Sequence, residues 1–256
     1  MEGQPGFDPL PPPPGEAEPE PGPSQREPFW GWSDLLLVAG LGVPAMGMVA
    51  AAATFGLSKV TKVKAVQLLP AQFLGYAVLF GILFFIFRSY YGGPFWESLG
   101  WRRYEAPSGR VVLLGVLTAI GVVLGAAALG TPDKANPMKE LLSTRGALLL
   151  AAVFGTTIGP LCEELIFRGF LQPLLVRAMG VAAGIFAASV PFGLLHLPQY
   201  GYSWRHALLV ALAGTAFGWM RHASGSTRAS TLMHAAYNAL FFLALLTQRK
   251  DLPQTW

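Results

Sequence analysis

The chain holds one cysteine, Cys162, in 256 residues. A lone thiol excludes an intramolecular disulfide framework. Charge is scarce too. Asp, Glu, Lys and Arg make up 12% of the chain and mean hydropathy is +0.46, against roughly 25% charged residues in a soluble domain. The acids are the scarcest of these where the chain is apolar. Seven of the fourteen lie in residues 1–34, leaving seven acids against seventeen bases in the rest, a net charge of +10. The bases are scattered single residues rather than a patch, which argues for anionic lipid surfaces as partner and against nucleic acid. No charged n-region followed by an apolar h-region opens the sequence, so no cleaved signal peptide is expected. No long internal repeat is evident, which weakens a transporter built on inverted halves.

What is present is a series of long apolar runs, and these predict an all-α, polytopic bundle of about seven transmembrane helices. Ten of the twenty-one prolines fall in residues 1–34 among interspersed acids, a composition expected to form a disordered tail. The first four of the later runs reach the roughly 20 residues a bilayer needs, and the last three are shorter, as suits helices shielded by neighbours rather than by lipid. The spans are expected at about 35–57, 66–87, 111–130, 146–176, 181–197, 207–220 and 229–246. Pro160 bends the fourth or splits it, which would make eight. Residues 89–110 form a polar connection whose Trp96, Trp101 and Tyr104 read as interfacial anchors, and residues 96–102 as a surface segment. The domain reading is therefore a tail (1–34), N-terminal helices with their interfacial loop (35–145), a core (146–247) and a polar C-terminal tail (248–256). Basic residues divide evenly between the two sides, so the positive-inside rule assigns no orientation. Four Gly-x-x-x-Gly patterns, among them Gly214/Gly218, point to close helix packing within the chain.

Among the apolar runs, only the fourth contains acids. Leu161-Cys162-Glu163-Glu164-Leu165-Ile166-Phe167-Arg168 places two carboxylates and a guanidinium inside it, and an intramembrane ionisable cluster is by default a functional site. Glu164 and Arg168 are i,i+4 neighbours on a helix and are expected to pair. Glu163 lies about 100° away, which leaves it as the carboxylate without a local counter-ion and the one suited to proton transfer. Of the four histidines, His206 and His222 flank the sixth span as interfacial residues, while His196 and His234 fall within or at the end of apolar segments. Phe192/His196 and His234/Asn238 are each i,i+4 pairs. Separate helix-gluing contacts explain each polar residue singly. Together, a carboxylate and imidazoles around a water supply a base, a proton donor and an oxyanion stabiliser.

Glu163-Glu164-x-x-x-Arg168, Phe192-x-x-x-His196 and His234-x-x-x-Asn238 resemble, in order and spacing, the three motifs of the CPBP family. That family comprises CAAX-processing and bacteriocin-processing or immunity proteins, related to the type II CAAX prenyl endopeptidase. The resemblance covers about 146–246 and implies an intramembrane endopeptidase acting on a membrane-associated peptide or lipidated protein. It implies that Glu163 with His196 activates water, that His234 and Asn238 stabilise the oxyanion, and that Glu164 and Arg168 hold the motif helix. A zinc site using Glu163 or Glu164 with His196 and His234 is the other reading of those ligands. The absence of a His-Glu-x-x-His motif and the nearby Arg168 favour no metal. A Cys162 nucleophile is disfavoured by the adjoining carboxylate. The alternative from another class is a non-catalytic membrane protein that binds a peptide or partner, in an immunity or scaffold role. The expected setting is a membrane, with the bacterial inner membrane favoured, and the oligomeric state is left open.

Overall fold

The computed structural model describes residues 28–131 and 141–248. Every regular element among them is helical. In chain order these are α1 (Trp32–Ser58), α2 (Lys64–Tyr91), α3 (Phe95–Ser98), α4 (Ser108–Ala128), α5 (Arg145–Thr156), α6 (158–179), α7 (Val181–Leu195), α8 (Trp204–Ser224) and α9 (Thr227–Gln248). A helix satisfies all of its backbone groups internally, as an apolar surround demands.

The distribution of side chains is inverted relative to a water-soluble protein. Large apolar residues point outward along the N-terminal helices, with Leu36 71% and Leu124 64% exposed, while Glu164, Arg168, Gln172, Ser230 and His234 are buried. Five stretches are long and apolar enough to cross a membrane: α1, α2, α4, α5 continued into α6 (Arg145–Met179), and α9. The chain is thus an integral membrane helical bundle. Seven spans were expected. The other two correspond to α7, whose 15 apolar residues rise only about 22 Å against a hydrocarbon core of about 30 Å, and to α8, which has the length but a less apolar composition.

The fourth span is broken, one turn earlier than its proline suggested. Thr157 leaves helical geometry (φ −128°, ψ −83°), and Pro160 falls in the first turn of α6, where its missing N–H has no bond to lose. From Leu165 to Leu171 α6 widens into a π-helical stretch, a local form frequent at functional sites.

Two other expectations are corrected. The tail was assigned to residues 1–34. Residues 1–27 lie outside the described residues, but 28–34 are packed. Trp30, 2% exposed, donates from Nε1 to the Phe170 carbonyl (3.0 Å) and stacks on Phe87 and Phe170. Arg177 donates to the Pro28 and Trp30 carbonyls. Asp34 accepts from the Gly31 amide and the Tyr91 hydroxyl. A single indole can anchor residues 28–31 because it carries a large apolar area and one donor that must be satisfied. Truncating it, Trp30→Ala, should cost about 3 kcal/mol or more, read as a lowered unfolding midpoint of the purified protein in detergent.

The stretch expected on the membrane surface is also partly interior. Trp96 is half exposed, but Leu99 is fully buried. Thr227 clamps this turn at the start of α9, its hydroxyl donating to the Leu99 carbonyl (2.6 Å) and its amide to the Gly100 carbonyl (2.8 Å). A Cβ at Gly169 would meet the Leu99 carbonyl at 2.8 Å, so the turn rests directly on α6. Residues 132–140 of the loop after α4 and 249–256 of the expected C-terminal tail lie outside the described residues.

Candidate active site

α6 supplies the two carboxylates. Glu164 and Arg168 are both 0% exposed, and Arg168 Nη1 donates to Glu164 Oε1 at 3.0 Å. Arg168 Nη2 donates to the Gly214 carbonyl of α8 (2.7 Å), and one turn further Gln172 Nε2 donates to the Gly218 carbonyl (3.0 Å). The partners of the Gly214/Gly218 pair are therefore two side chains of α6. A Cβ at Gly214 would lie 2.8 Å from Arg168 Nη2, and one at Gly218 2.8 Å from Gln172 Oε1, so glycine provides both the acceptor and the space.

His234 on α9 joins this pair. Its Nδ1 lies 3.1 Å from Glu164 Oε1, and its Nε2 lies 3.8 Å from Glu163 Oε2. An arginine-paired carboxylate only accepts, so Nδ1 of His234 is the donor and Nε2 is the nitrogen turned toward Glu163. The ring stacks on Phe217 (4.5 Å between centroids, 19°) and meets the edge of Phe192. Glu163 differs from its neighbour, with a side chain 20% exposed.

His196 ends α7. Its Nδ1 lies 2.7 Å from the Phe192 carbonyl. A carbonyl can only accept, so Nδ1 carries the proton and Nε2 of the neutral ring is left as a base. The Phe192 ring touches both imidazoles, at 4.7 Å from His196 and 5.8 Å from His234. Asn238 is placed differently from the others. Its Nδ2 donates to the Gly155 carbonyl at 2.7 Å, a group near the end of α5 left short of helical partners by the break at Thr157. One amide hydrogen of Asn238 remains for another acceptor.

Two residues of the site escaped sequence reasoning. Tyr76 of α2 is buried, accepts from Gln72 Nε2 (2.9 Å) and lies near enough to Glu163 to feel its charge. Because Gln72 fills the acceptor side of the phenol, its own proton is available to the carboxylate. The signal was legible as two polar residues at i,i+4 in an otherwise apolar span. Tyr200, in the turn Leu197–Tyr200, also feels Glu163: burial first, and the Glu163 charge second, push its phenol above the ordinary range. Cys162 packs with Tyr76, Leu148 and Phe154 in an apolar cluster.

Glu164 Oε1 and His234 Nδ1 are committed to each other and to Arg168. Among the described residues no three His, Cys, Asp or Glu side chains are grouped to hold an ion. What the arrangement offers is a partly exposed carboxylate facing one imidazole, His234, with a second, His196, on the other side of the Phe192 ring contact, and both imidazoles have Nδ1 already bonded.

Residues 145–240 match the family model described as type II CAAX prenyl endopeptidase Rce1-like. The matched interval holds Glu163, Glu164, Arg168, His196, His234 and Asn238, and excludes Gln72 and Tyr76. Comparison with curated proteins and with solved structures gave no match.

Proposed function

With residues 145–240 an Rce1-like domain, we propose that the protein is an intramembrane endopeptidase that hydrolyses a peptide bond of a membrane-associated or lipidated substrate. Glu163 takes a proton from water, and the hydroxide attacks the scissile carbonyl carbon. That same proton passes from Glu163 through His196 Nε2 to the departing amine as the C–N bond breaks, which returns Glu163 to its charged form. The tetrahedral oxyanion accepts from the second amide hydrogen of Asn238 and from Nε2 of His234 when that nitrogen is protonated. Glu164 and Arg168 act through His234, fixing its tautomer and orientation. The setting proposed is a bacterial inner membrane.

The observation that carries this reading is the placement of His234, with one ring nitrogen on Glu164 and the other facing Glu163. A merely structural imidazole needs no second carboxylate. The test compares membrane-protein termini in cells carrying the protein with those carrying Glu163→Ala. New C-termini that vanish in the variant, at equal protein levels, are expected and would identify the substrate. Identical termini in both would leave only the non-catalytic binding role.

A further inference from the structure

One helix outside the matched domain brings polar side chains toward Glu163. The inward face of α2 carries Leu69, Gln72, Tyr76 and Leu79, spaced three or four residues apart, as neighbours on one helical face are. Leu69 and Leu79 pack in apolar clusters. The two residues between them are polar, and Gln72 Nε2 donates to the Tyr76 hydroxyl at 2.9 Å. Gln67, also buried on α2, is committed elsewhere and donates to the Thr61 carbonyl (2.6 Å). Ring packing alone does not account for the Gln72–Tyr76 pair. A phenylalanine at 76 would fill the same space, and an apolar residue at 72 would leave no side-chain polar group to satisfy inside the span.

The surroundings of the phenol say where its proton goes. The Gln72 amide fills the acceptor side of Tyr76 Oη, so the O–H points elsewhere, and a buried hydroxyl proton needs an acceptor. Tyr76 packs with Cys162, Leu148 and Phe154 in one cluster, and Cys162 directly precedes Glu163 in α6. The thiol is the weaker acceptor of those two neighbours. Glu163 stands near enough for its charge to act on the phenol. The carboxylate, for its part, faces His234 Nε2 at 3.8 Å, too far for a hydrogen bond. Its neighbour Glu164 is held by both Arg168 and His234. A general base has to be held as well, within hydrogen-bond reach of the proton it takes.

We propose that Tyr76 is a positioning residue for Glu163. Its hydroxyl, aimed by Gln72, donates to one carboxylate oxygen and leaves the other turned to the water that Glu163 deprotonates. Gln72 has a second effect, since a donor on the phenol oxygen strengthens the O–H as a donor in turn. The assignment rests on the endopeptidase reading above and extends the site beyond the matched domain. α2 lies outside residues 145–240, so the N-terminal helices hold the base in place as well as burying the core.

The test uses the full chain in detergent and a fluorogenic peptide spanning a cleavage site found by the comparison of termini. Tyr76→Phe keeps the ring and removes the donor. It should lower kcat about ten-fold, with KM and the unfolding midpoint unchanged, as expected for one hydrogen bond lost to a charged group. Gln72→Met should lower kcat less, by about two- to three-fold. Should Tyr76→Phe melt early, Gln72→Met, altered at a half-buried position, carries the same comparison. In the Glu163→Gln background, read by single turnover with enzyme in excess, Tyr76→Phe should cost nothing further, because the charge it positions is gone. A structural role would slow both backgrounds by the same factor, and that result would overturn the assignment. So would a raised KM at unchanged kcat, or a Tyr76→Phe variant as fast as the parent while Glu163→Gln is slow. That last result leaves the endopeptidase reading standing, whereas Glu163→Gln as fast as the parent would end both.

Discussion

Glu163→Gln is expected to lower the rate of peptide cleavage by about 10²–10⁴-fold, the range a general base contributes. The unfolding midpoint should stay unchanged. The two effects separate because Glu163 is partly exposed and His234 Nε2 stands 3.8 Å from it, beyond hydrogen-bond length. An amide of the same shape replaces the carboxylate without stranding a buried charge. The measurement is turnover of a fluorogenic peptide by purified protein in detergent, beside a thermal melt of the same sample. A variant that retains turnover removes Glu163 from the chemistry. One that melts early would mean that its role is structural.

Arg168→Met should do the reverse, destabilising first. Both charges of the Glu164–Arg168 pair are fully buried, and removing one partner of such a pair costs about 3–5 kcal/mol because the other is left uncompensated. The Gly214 carbonyl also loses its donor. The double variant Glu164→Gln/Arg168→Met should be more stable than Arg168→Met alone, since no unpaired carboxylate remains. That non-additivity is the quantity to measure, by denaturant or thermal unfolding of the two single variants and the double. Additive losses would show that each residue is held by other neighbours rather than by its mate.

The parts of the site visible in the sequence were those governed by local geometry. Glu164 and Arg168 are four residues apart on one helix, so their pairing needed only helical spacing. Long apolar runs gave most span limits within a few residues, since lipid forces each run to be helical. Contacts between distant segments were not legible. Nothing in Leu99 or Gly100 announces that Thr227, more than a hundred residues away, will clamp their carbonyls. Tyr76 lies in a helix outside the three motifs, and only the bundle brings it to Glu163. Asn238 was rightly expected to need a partner, but which acceptor it would find depended on where α5 ended. Pro160 marked the neighbourhood of that ending and not its position, because a proline sits most easily one turn inside the following helix.

The break at Thr157 has a mechanical meaning for the rest of the molecule. Two lengths of one span meet there with no continuous helical ladder to stiffen the joint. α9 bridges it from outside: Asn238 grips the upstream piece through Gly155, and His234, one turn away, grips the downstream piece through Glu164. A single rigid helix thus acts as a splint across the fracture. The tilt of the carboxylate-bearing half is set by a neighbour rather than by its own chain.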